Sequence, residues 1–159
     1  METVIDQDPV WLAKASDNIR QLYSYWRAKC RDSHPPRRSD IDPVEIPKLL
    51  PYMTIVEVVP DARRYVYRLV GTQEVEIRGN DPTGKSVAEA YYGPSQDEAH
   101  MFYDQVVATG LPVYDDSPYV GQDGRYNDEE MLFLPLSEDG TAVSRILLIC
   151  RASLTADFA

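Results

Sequence analysis

Val143-Ser144-Arg145-Ile146-Leu147-Leu148-Ile149-Cys150-Arg151 reads as a strand that is apolar on both of its faces. Successive side chains of a strand point to opposite sides of a sheet. The unbroken run from Ile146 to Cys150 therefore needs cover above and below. Two further strands precede it, Leu111 to Val120 and Tyr126 to Leu136. Gly121-Gln122-Asp123-Gly124 and Glu138-Asp139-Gly140 supply the turns between the three.

Working toward the N-terminus, Tyr52 to Val59 and Tyr65 to Val70 form another strand pair around Pro60-Asp61-Ala62-Arg63-Arg64. That connection is too short for a parallel crossover, so the pair is an antiparallel hairpin. Between hairpin and closing strands, Thr72 to Arg78, Ser86 to Tyr92 and Ser95 to Thr109 read as helical. Ala99, Phe102, Tyr103, Val106 and Val107 form the buried side of the last.

The N-terminal region supplies cover for the other sheet face. Asp8 and Pro9 suit the start of a helix, and Trp11, Leu12, Ala15, Ile19, Leu22, Tyr23 and Trp26 recur at helical steps. This helix runs to about Cys30. A proline-rich connector follows, in which Asp42-Pro43 starts a short helical stretch that Pro47 splits into tight turns. The result is an α+β chain in one domain over 1–159: a helix in 1–30, a connector in 31–50 and a core in 51–151.

Composition narrows the partners. The chain has 159 residues, a net charge of −10 and 43% hydrophobic residues, which suits a globular protein and repels phosphate backbones and anionic lipid. Nucleic acid and membrane surfaces are not expected partners. Arg27, Lys29, Arg31, Arg37 and Arg38 read as a solvated basic cluster. Met1 to Asp8 has no signal pattern, no apolar run approaches a membrane span, and Cys30 and Cys150 form no CxxC pair. The expectation is a soluble, reduced, cytoplasmic protein.

Chemical motifs are sparse. Gly79-Asn80-Asp81-Pro82-Thr83-Gly84-Lys85-Ser86 satisfies the phosphate-loop pattern, but the segment before it reads as helix where that chemistry needs a strand. Pro82 also removes a donor, so nucleotide enzymology ranks last. His34 lies in the connector and reads as solvated. His100 lies beside Phe102 on the last helix and reads as a hydrogen-bonded histidine, with axial haem ligation the rarer use. Asp115-Asp116 and Asp128-Glu129-Glu130 lack a calcium-loop spacing, so no metal is expected. No Gly-x-Ser-x-Gly elbow occurs. Cys150 reads as a small core residue, and Tyr67, Tyr91, Tyr92 and Tyr103 as lining for a small cavity or as plain core.

Several strings carry a family resemblance: Leu22-Tyr23-Ser24-Tyr25-Trp26, Pro36 through Pro43, Leu49-Leu50-Pro51, Tyr67-Arg68-Leu69-Val70-Gly71-Thr72, Gly84-Lys85-Ser86 and Leu132-Phe133-Leu134-Pro135-Leu136. Together they resemble the PAS superfamily, and within it the stand-alone PAS-like proteins of alphaproteobacteria. The resemblance implies a five-stranded antiparallel sheet of order 2-1-5-4-3 with helices on one face. It also implies a non-enzymatic signalling role through a ligand or a partner such as a histidine kinase or regulator, with no catalytic residue. The corresponding cavity guess comprises Tyr67, Leu69, Val75, Val87, Tyr91, His100, Phe102, Tyr103, Val106, Met131 and Phe133. The interface guess for a homodimer comprises Trp11, Leu12, Ile19, Leu22, Tyr23 and Trp26. The alternative is an adaptor with a filled core and no ligand. No cofactor is required, and the Asn-Cys-Arg string of flavin-adduct relatives is absent.

Overall fold

The computed structural model describes residues 7–90, 100–116, 119–120 and 126–154. Its sheet places β1 (Met53–Val58), β2 (Tyr65–Val70), β3 (Val113–Asp115), β5 (Tyr126–Leu136) and β6 (Arg145–Leu154) in the order β2-β1-β6-β5-β3. The short β4 (Tyr119–Val120) also pairs with β5. Every pairing is antiparallel. The expected third strand is thus two pieces on one neighbour, and the order 2-1-5-4-3 holds when they are counted together. A register shift between Ile55 and Val56 bends the β1–β2 pair.

The closing strand behaves as its sequence dictates. Leu147 and Ile149 face one side with Met53, Ile55, Leu132, Leu134 and Leu136. Ile146 and Leu148 face the other with Val56, Tyr65, Tyr67 and Phe133. The first face is covered by α1 (Asp17–Lys29), whose Ile19, Leu22, Tyr23 and Trp26 are buried. Trp26 spans this interface, and its Nε1–H donates to the Pro135 carbonyl at 2.9 Å. The connector adds Ile41, Ile46 and Leu49. The second face is covered by Val87 and by α3 (Met101–Thr109), through Tyr103 and Val106.

Helix α1 starts later than the Asp8-Pro9 signal predicts. Val10–Ala13 form only a 3-10 turn, Ser16 is extended, and the α-helix begins at Asp17. Asp8 pairs with Arg27, and the Arg20 guanidinium donates to the Leu12 and Ala13 carbonyls, tying the turn to the helix. Asp17 in the first turn and Arg27 and Lys29 in the last suit the helix dipole. The connector contains two short 3-10 turns, Arg38–Asp40 and Pro43–Glu45, and the second is capped by Asp42 accepting from the Val44 N–H. The Ser86 to Tyr92 segment is turns through Ala90, not helix, and the rest of it lies outside the described residues.

A second correction concerns the interface guess. Ile19, Leu22, Tyr23 and Trp26 are spent on the chain's own sheet, and Trp11 and Leu12 pack half-buried against the same cluster. Trp11 stacks on Tyr114 at 4.8 Å and meets Tyr23 edge-on at 5.1 Å. No helix among the described residues is long and apolar enough to cross a membrane.

Candidate functional site

Helix α2 (Thr72–Arg78) follows β2 at once, and Gly71 makes that junction possible. A Cβ at Gly71 would lie 2.3 Å from the Pro51 carbonyl oxygen, and its N–H donates to the Met53 carbonyl at 2.7 Å. Gly79 ends α2 in the left-handed region at φ 79°, where glycine carries no Cβ penalty.

Glu74 and Arg78, one turn apart on α2, turn inward. Their side chains are only 15% and 12% exposed, and Arg78 Nε donates to Glu74 at 2.8 Å. The same guanidinium donates to the Tyr67 hydroxyl at 3.0 Å and to the Ala90 carbonyl at 3.0 Å, with its carbon 5.0 Å from the Tyr67 ring centroid. Burial disfavours the charge on Arg78, but Tyr67 and Glu74 outweigh it and raise its proton affinity. Tyr103 reaches the same place from α3. Burial first, then the neighbouring Tyr67 hydroxyl, holds its phenol well above the ordinary value. Cys150 donates its S–H to Glu129 at 2.9 Å. Burial and the Glu129 charge push that thiol well up.

Aromatic rings pack beside this network. Tyr103 lies 5.1 Å from Tyr65 and 5.2 Å from Phe133, and half-buried Phe102 is 5.5 Å from Phe133. Met131 packs half-buried against this cluster, Val87 and Val106 are fully buried in it, and Val75 on α2 is half-buried. Leu69 is a correction: it is 43% exposed, because its register partner is Ile55, on the opposite face from Tyr67. Tyr91 and Tyr92 lie outside the described residues. His100 precedes α3, meets Tyr65 edge-on at 5.2 Å and accepts from Arg64 through Nδ1 at 3.2 Å. Beside it Asp104 accepts from Arg64 and from the Tyr65 hydroxyl.

A family model described as "PAS domain" matches residues 14–150. The chain belongs to the PAS domain family. No curated protein matches it. Solved structures with the same fold include VqmA bound to DPO, 18% identical with a TM-score of 0.52, covering 71% of this chain. The PAS domain of BvgS from Bordetella pertussis is 14% identical with a TM-score of 0.52, over 73% of this chain and 90% of that one. A light-oxygen-voltage domain studied with a flavin analogue is 12% identical with a TM-score of 0.52, over 73% and 86%. The chain spans 57% of the VqmA chain. At these identities the likeness is one of fold.

In this PAS domain the Gly79–Ser86 string is a structural turn. The amide of Thr83 donates to Asp81 at 3.0 Å, Gly84 to the Tyr67 carbonyl at 2.8 Å, Lys85 to the Pro82 carbonyl at 2.9 Å and Ser86 to Glu89 at 3.4 Å. The donors that a phosphate cradle needs are spent inside the protein. The Tyr67 N–H donates in turn to the Lys85 carbonyl at 3.0 Å, so the string covers the outer edge of β2. Among the described residues no three of His, Cys, Asp and Glu gather to hold a metal. Asp116 pairs with Lys14 at 3.0 Å, and Glu130 accepts from the Ser16 N–H at 3.0 Å and the Tyr114 hydroxyl at 2.6 Å.

The Glu74–Arg78 pair is the site feature the sequence reading missed. Its signal was present as an acid and a base four residues apart on α2, a spacing that otherwise marks a solvated helix face.

Proposed function

We propose that the chain is a non-enzymatic sensory or regulatory module that takes a small polar ligand between α2, α3 and the sheet. The observation that carries this is the inward-turned Glu74–Arg78 pair with Tyr67 and Tyr103 around it. Buried charge is costly unless paired, and a core meant only to be filled has no need of it. The structure of VqmA bound to DPO supports small-molecule binding on this fold. The output is contact with a cytoplasmic signalling protein such as a histidine kinase or regulator. The homodimer proposed with it uses surface other than the α1 stripe.

A second reading, an adaptor with a filled core, is favoured by the mutual contacts of Tyr65, Tyr103, Phe102 and Phe133. Native mass spectrometry and an absorption spectrum of fresh protein, then a thermal-shift metabolite screen, separate the two. A ligand of the folded state raises Tm by mass action, and Tyr103→Phe, which removes one hydroxyl, reduces that shift. A chain that carries no guest and responds to no compound is the adaptor.

A further inference from the structure

We propose a second site, on the opposite face of the sheet and independent of the reading above: the cleft at the start of α1 binds a free α-amino acid. Glu130 takes its ammonium and Arg151 its carboxylate. The cleft has a volume of about 280 Å³, between Lys14 and Ser16 on one side and Tyr114, Asp116, Glu129, Glu130 and Arg151 on the other.

Glu130 and Arg151 stand directly opposite each other in the β5–β6 register. Side chains so placed are near neighbours, and opposite charges there ordinarily close on each other. Here they do not. Glu130 is drawn toward α1 and β3, because one oxygen, Oε2, accepts both the Ser16 N–H at 3.0 Å and the Tyr114 hydroxyl at 2.6 Å. Tyr114 is itself fixed by Trp11, which stacks on its ring at 4.8 Å. Among the described residues the Arg151 guanidinium makes no hydrogen bond or ion pair, and Glu130 Oε1 has no partner. Ser16 Oγ is buried and also lacks a partner.

The cleft therefore holds a fixed carboxylate and a free guanidinium. Their complement is a molecule with a cation and an anion a few bonds apart. An α-amino acid carries both on one carbon: its carboxylate matches the planar fork of Arg151, and its ammonium donates to Glu130 Oε1. Lys14 and Asp116, paired at 3.0 Å, close the outer side.

The test titrates the full chain with each common L-amino acid, followed by amide NMR shifts and calorimetry. Saturable binding with shifts at Ser16, Tyr114 and Arg151 is expected. Loss of a charge-assisted contact weakens binding by about tenfold or more, so Arg151→Gln, N-acetylation of the ligand and amidation of its carboxylate should each do so. Tyr103→Phe should leave this binding unchanged, which separates it from the α2–α3 site. Arg151 holds no other group, so its variant should melt as the parent does. The proposal is overturned if no amino acid shifts the spectrum, if Arg151→Gln binds as tightly as the parent, or if the blocked amino acids bind equally.

Discussion

Asp104 shows how single groups set this protein's response to acid. Burial alone raises a carboxyl's pKa, but the Tyr65 hydroxyl and the Arg64 guanidinium outweigh it, and the net shift is downward. A carboxyl whose folded pKa lies below its unfolded one stabilises the fold above the unfolded value, about 3.9 for Asp. That stability is lost as pH falls through the lower folded value. The Asp104 side chain is 40% exposed, so screening holds the effect to about 1 kcal/mol or less. Melting followed from about pH 7 to about pH 3 should show the parent losing Tm more steeply below about pH 4 than Asp104→Asn does. Parallel curves would mean the cluster carries no linked proton. Asp104 was within reach of the sequence reading only as a helix residue, because its partners come from a turn 40 positions away.

At the scale of elements, Gly71 and the Gly79–Ser86 turn explain two of the strings by which the family was read. Gly71→Ala places a methyl group against the Pro51 carbonyl, which is backbone and yields only if α2 moves. Strain of this kind belongs to the large class of mutational effects, about 2 kcal/mol or more, and urea unfolding should show it as a lower midpoint at unchanged slope. Lys85→Ala touches none of the turn's amide bonds. Calorimetry with ATP should read background heat for both parent and variant, and micromolar binding lost in the variant would restore a nucleotide site. The strands were legible because alternation and apolar runs report burial directly, as at Ile146 to Cys150. Tyr126–Leu136 was read to the residue. The start of α1 was not, because its fate depends on Glu130 taking the Ser16 N–H from 114 residues away. Of the candidate site, the burial of Tyr67, Val87, Tyr103, Val106 and Phe133 follows from pattern, whereas Arg78 and Glu74 turn inward for reasons of packing. Leu69 was misplaced by the register shift at Ile55.

The whole molecule is a sheet between two cores, one closed by α2, α3 and the Ser86–Ala90 turns, the other by α1 and the connector. The second core fixes what α1 is for. Burying Ile19, Leu22, Tyr23 and Trp26, each 3% exposed or less, contributes about 1.5–3 kcal/mol apiece, or about 6–12 kcal/mol in all. That is comparable to the whole stability of a typical domain, about 5–15 kcal/mol. Removing residues 1–30 also uncovers Met53, Ile55, Leu132, Leu134, Leu136, Leu147 and Ile149 together, a continuous apolar face of the kind soluble monomers avoid. It also orphans the Pro135 carbonyl that Trp26 satisfies. The truncated chain should therefore aggregate on expression, or refold only as a species that binds a hydrophobic dye and melts without cooperativity. Size-exclusion chromatography and calorimetry on the chain from residue 31 onward check this. A truncated chain that stays monomeric with a sharp transition would show that α1 is an accessory and that its stripe is available for a partner.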